Sequence, residues 1–86
     1  MIAVYVRPES LTIEQYNKAR AGLSKANIDG RKHHSCFGED GQLAVYEIWE
    51  SQEAYEAFAQ FLVPVLQEAG IVAPPPSIVP LVNLEQ

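Results

Sequence analysis

Arg31-Lys-His-His-Ser-Cys-Phe37, Gly38-Glu-Asp-Gly41 and Gln42-Leu-Ala-Val-Tyr-Glu-Ile-Trp49 follow one another without a break. The outer two runs read as strands, and the glycines between them supply the positive φ angles of a tight turn, so the stretch predicts a β-hairpin. An even loop, whether Glu39-Asp40, Asp40-Gly41 or all four turn residues, puts Lys32, His34 and Cys36 on the same side as Leu43, Val45, Glu47 and Trp49. Ser35, Phe37, Ala44, Tyr46 and Ile48 then share the opposite side. A three-residue loop with a bulge would swap this pairing.

Upstream, Ile2-Ala-Val-Tyr-Val-Arg7 is rich in β-branched and aromatic residues and stops at Pro8, which predicts a first strand. Ile2, Val4 and Val6 lie on one face, Tyr5 and Arg7 on the other. Thr12 and Gln15 fit a capping box, and Ile13, Tyr16, Ala19 or Arg20, and Leu23 recur at helical spacing, so a first helix is expected to run to about Ala26. Downstream, Ser51 is a good N-cap, Glu53 suits the helix dipole, and Tyr55, Phe58, Ala59, Leu62, Leu66 and Ala69 form an apolar stripe. Pro64 should kink this second helix or start a new segment, and Gly70 should end it. Pro74-Pro-Pro76 is a stiff connector, and Ser77 to Leu84 reads as a last strand that Pro80 restricts to an edge or a bulge.

The order strand, helix, strand, strand, helix, strand predicts a single α+β domain over residues 1–86, ferredoxin-like and βαββαβ. Its four-stranded antiparallel sheet should carry both helices on one face. Every strand has apolar residues on both sides, so the bare face should meet a second copy. The expected working unit is a homodimeric α/β barrel, two sheets closing over a central cavity.

Size and charge point the same way. A chain of 86 residues buries only about 60–65% of the surface that it exposes when unfolded, so its stability needs help. One cysteine, Cys36, excludes an internal disulfide framework. Nothing has the CxxC or HxxxH spacing of a structural metal, which leaves a partner subunit. A net charge of −5 argues against nucleic acid and anionic membranes. The apolar run Ile2–Val6 is too short for a signal peptide or a membrane-spanning helix, and a cytoplasmic protein is expected.

The segment Asp40-Gly-Gln-Leu-Ala-Val-Tyr-Glu-Ile-Trp-Glu-Ser-Gln-Glu-Ala-Tyr-Glu-Ala-Phe58, with Val63-Pro-Val-Leu-Gln-Glu-Ala-Gly70, resembles the small dimeric α/β-barrel proteins related to antibiotic biosynthesis monooxygenases. Trp49-Glu-Ser51 at the strand-to-helix junction is the hallmark, with Thr12-Ile-Glu-Gln-Tyr16 and His34 in support. The resemblance implies a homodimer with a pocket between sheet and helices or within the barrel, and, as in some members, oxidation of aromatic substrates with no cofactor. Trp49 and Tyr55 match pocket positions of the quinone-forming members, although the asparagine expected four residues before the tryptophan is Val45 here. The haem-ligating histidine of the haem-degrading members falls near Gly70, so haem degradation is not expected.

His34 is the candidate catalytic residue, because a neutral imidazole is suited to take a proton from a phenol; the alternative is a structural histidine with both nitrogens satisfied. His33 should point to the opposite face. Glu47, Trp49 and Tyr55 are candidate ligand-binding residues, and Tyr5 and Arg7 could bind a phenolic or anionic group from the bare face. For Glu47 the plainer expectation is a cross-strand ion pair with Lys32 or His34; for Trp49 it is core packing; for Arg7, a solvated charge. Cys36 should be a buried small apolar residue. No Gly-rich phosphate loop or nucleophile elbow is present. The expected function is binding of a small aromatic molecule, or its oxidation by a cofactor-free monooxygenase-like enzyme with no metal. The alternatives are a non-catalytic dimeric ligand-binding or interaction module, and a proton-transfer enzyme such as an isomerase with His34 or Glu47 as base.

Overall fold

The hairpin forms with Phe37 opposite Ala44, Cys36 opposite Val45 and His34 opposite Glu47, across an even loop of residues 38–43. It joins β2 (Arg31–Phe37) to β3 (Ala44–Trp49) in a computed structural model that describes residues 1–85. β1 (Ile2–Val6) pairs antiparallel with β3 on one side and with β4 (Ser77–Pro80) on the other, so the sheet order is β2-β3-β1-β4. With α1 (Ile13–Gly22) and α2 (Gln52–Glu68) the chain has the βαββαβ order of an α+β ferredoxin-like fold. Both helices lie over the face that carries Val4, His34, Val45 and Glu47.

The expected parity fails at one residue. The register shifts between Arg31 and His33, so Arg31 stands opposite Trp49 while His33 stands opposite Ile48. The extra residue turns Lys32 to the outer face, beside His33, Tyr46 and Ile48, and brings Arg31 to the helix side.

Local signals set the helix ends. Thr12 and Gln15 make the reciprocal capping box that their spacing predicts. α1 stops at Gly22, four residues short of Ala26. Glycine is a poor helix former, and the amides of Leu23 and Ser24 turn to the carbonyls of Arg20 and Ala21 in a tighter, three-residue spacing. Ser51 caps α2 by accepting from the Ala54 amide. α2 continues through Pro64 with no second segment. Its buried or half-buried side chains, Tyr55 and Phe58 before the proline and Leu66 after it, pack in two adjoining core clusters that hold one register across the missing N–H. At the other end the Gly70 amide bonds Gln67 and the Ile71 amide reaches back to Leu66, with Gly70 at φ +73°. This paired return needs the left-handed conformation that glycine adopts without strain. β4 ends at Pro80 rather than at Leu84, on the sheet edge that Pro80 requires.

The two core clusters are Val4, Trp49, Tyr55 and Phe58, and Leu11, Ala19, Leu43 and Ile71. On the outer face Tyr5, Phe37 and Val79 remain 40–50% exposed, at 40%, 48% and 50%. No helix among the described residues is long and apolar enough to cross a membrane.

Candidate active site

Between the sheet and the two helices the clusters leave a cavity of about 600 Å³, walled mainly by apolar side chains such as Val4, Leu23, Phe58, Leu62 and Ile71. Its polar residues gather on β2, β3 and α1. Glu47 is 6% exposed, and both its oxygens are used: the Trp49 indole donates to Oε1 at 2.9 Å, while His34 Nδ1 at 2.5 Å and Arg31 Nη1 at 3.3 Å share Oε2. The other nitrogen of His34, Nε2, lies 2.6 Å from the Tyr16 hydroxyl.

The pairing rules order these groups. A carboxylate only accepts, so the proton on a neutral His34 sits at Nδ1, and Nε2 is left to accept from Tyr16. Tyr16, His34 and Glu47 therefore form a relay from the cavity wall to a buried carboxylate, a hydroxyl–imidazole–carboxylate chain with a phenol at its outer end.

Neither a protein-family profile nor any curated protein sequence matches the chain. Solved structures do. A protein of Chloroflexus aurantiacus J-10-fl named for the antibiotic biosynthesis monooxygenases superposes with a TM-score of 0.67 at 12% identity, over 100% of this chain and 98% of its own. A similarly named protein of Deinococcus radiodurans gives 0.55 at 13% identity over 100% of both chains. The protein Rv0793 of Mycobacterium tuberculosis gives 0.58 at 14%, over 100% of this chain and 98% of its own. This chain has their fold.

Within that antibiotic biosynthesis monooxygenase-like fold, the electrostatics follow from burial and pairing. Burial alone would push the Glu47 carboxyl up, but hydrogen bonds from His34 and Trp49, the positive charge that His34 carries when protonated and the Arg31 charge outweigh it and hold the group below the ordinary glutamate value. Burial raises the Tyr16 phenol, helped by Cys36 and opposed by Arg20 and Arg31. Tyr55 is raised by burial and by the Glu47 charge, and burial alone raises the Cys36 thiol. These phenols are held protonated and able to donate.

The fold brings His34, Glu47 and Tyr55 to the cavity wall. Trp49 lies behind the wall, wholly buried, with its ring edge-on to Tyr55 at 5.9 Å and against Phe58 at 5.1 Å. It reaches the site only through the indole donor to Glu47. Tyr5 and Arg7 are not brought there: Tyr5 stands opposite Tyr46 and Ser77 on the outer face, and Arg7 is exposed beyond the end of β1. His33 is also outside, against Tyr46 and Ser35. Cys36 is only half-buried and lines the cavity.

Sequence reasoning missed Tyr16 and Arg31 as site residues. Tyr16 sat in the apolar stripe of α1, and its one signal was the polar tip that a buried tyrosine must satisfy. Arg31 depends on the bulge, for which the strand pattern carries no mark. Among the described residues no three His, Cys, Asp or Glu side chains gather as a metal site.

Proposed function

We propose that the cavity binds a small, largely apolar aromatic molecule bearing an ionisable hydroxyl, and that His34 takes its proton in a cofactor-free, monooxygenase-like oxidation. The observation that carries this is the Glu47–His34–Tyr16 relay at the edge of an apolar cavity. The substrate hydroxyl would take the place of the Tyr16 hydroxyl at Nε2 or pass its proton through it, and the imidazolium formed would be stabilised by Glu47. The substrate anion, shielded from water, then reduces dioxygen with its own electrons. At one ring carbon a C–H bond gives way to a C=O bond made with one oxygen atom of dioxygen, the phenolate C–O becomes the second C=O of a quinone, and the other oxygen atom leaves as water with the ring hydrogen and the proton returned by His34. Tyr55 would orient the ring from α2, and Trp49 would hold Glu47. The names of two structural neighbours support the reaction class. We also infer a homodimer formed through the outer sheet face, working in the cytoplasm.

Oxygen uptake by purified protein with a panel of hydroxylated aromatics tests this. Uptake by the wild type and a loss of about 100-fold in His34→Ala are expected, the scale of a lost general base; equal rates would remove the catalytic role. One observation favours a second reading, a non-catalytic binding module: His34 Nε2 already has a partner in Tyr16. In that case aromatics bind, no oxygen is consumed, and His34→Ala still binds them.

A further inference from the structure

The chain is acidic, with eleven Asp and Glu against six Lys and Arg. Its cavity has the opposite balance. The charged side chains on its wall are Arg20, Arg31 and Glu47, two cations to one anion. Glu47 is already committed, since Arg31, His34 and Trp49 all bond it. Arg20 is not committed: among the described residues no acidic side chain lies within ion-pair distance of it. It sits in the last turn of α1, one turn on from Tyr16, with its guanidinium 6.0 Å from the centre of the Tyr16 ring. Arg31 joins the same polar group from β2, with Nη1 3.3 Å from the Glu47 oxygen that His34 shares, while the other nitrogen of His34 meets the Tyr16 hydroxyl.

A cation in the last turn of a helix has a plain explanation in the helix dipole. That explanation does not account for the cavity wall. Lys18, Lys25, Lys32 and Arg7 are all outside it, whereas Arg20 and Arg31 stand at the polar groups where a ligand would be oriented. A guanidinium matches a carboxylate with two parallel N–H donors and fits beside an aromatic ring.

We propose that the ligand class is an aromatic acid, whose carboxylate is held by Arg20, with Arg31 beside it, while the ring fills the apolar part of the cavity. This rests on the cavity being the ligand site. In solution the ligand is then selected by charge as well as by shape, and binding weakens as salt is added.

Isothermal titration of the full chain with 6-hydroxy-2-naphthoate and with its neutral amide separates the two ideas. The acid should bind about tenfold more tightly than the amide. Arg20→Gln should abolish that preference while leaving the amide affinity within about twofold, and Arg20→Lys should restore part of it. Equal binding of acid and amide by the wild type would overturn the anionic ligand class and leave the aromatic cavity standing. Failure of both to bind would overturn the cavity as an aromatic site, and this proposal with it. An acid preference unchanged in Arg20→Gln would remove Arg20 from it.

Discussion

Glu47 shows how much a single buried charge demands. A carboxylate in this position costs several kcal/mol unless donors surround it, and the Trp49 indole, the His34 imidazole and the Arg31 guanidinium do so. Because its folded value lies below the ordinary one, the contribution of Glu47 to stability is complete above the ordinary value of 4.5 and is lost as pH falls through the lowered folded value. The melting temperature of the wild type should therefore fall between about pH 5 and pH 3 more steeply than that of Glu47→Gln. Parallel curves for the two proteins would mean that the ion pair does not couple to folding. Hairpin parity offered Lys32 or His34 as the cross-strand partner of Glu47, and the partner is His34. Parity could not find Tyr16, which lies on another element and meets His34 only across the layers.

At the scale of the elements, α1 meets α2 at Gly22. A Cβ there would lie 2.9 Å from Cγ1 of Val65, too close for a branched side chain to accommodate without moving. Helix propensity alone would make Gly22→Ala stabilising by about 1 kcal/mol. The contact should reverse that sign, giving a net loss of about 1–2 kcal/mol in urea denaturation. The double variant Gly22→Ala with Val65→Ala should recover the penalty as a favourable coupling energy. Additive single effects would show that the helices have room to part. The caps at Thr12 and Ser51 and the stop at Gly70 were legible because each depends on residues within one turn. The bulge between Arg31 and His33 was not, since it arises from fitting β2 onto β3 over their whole length.

Over the whole molecule, a cavity of about 600 Å³ in an 86-residue chain leaves a core divided into two small clusters. Small domains bury little surface in any case, and a partner on the outer face would add to it. Tyr5, Phe37 and Val79 give that face its exposed apolar character. Sedimentation should find a dimer, and Tyr5→Glu should shift it to monomer with far-UV circular dichroism unchanged, since Tyr5 is clear of the cavity. A wild-type monomer, or a dimer indifferent to Tyr5→Glu, would remove this face as the contact.

The amino-acid sequence alone determined the order of the elements, the caps and the helix stop at Gly70, and, once the loop length is even, the parity of the hairpin from His33 to Trp49. These follow from periodicity and from backbone chemistry confined to a few neighbouring residues. Tertiary structure alone decided that Arg31 and not Lys32 faces the helices, that Tyr16 completes the relay to Glu47, and that Trp49 stands behind the wall rather than on it. Each of these is a distance between layers. Such distances are set by how two helices and a twisted sheet pack as a whole, and no local pattern encodes them.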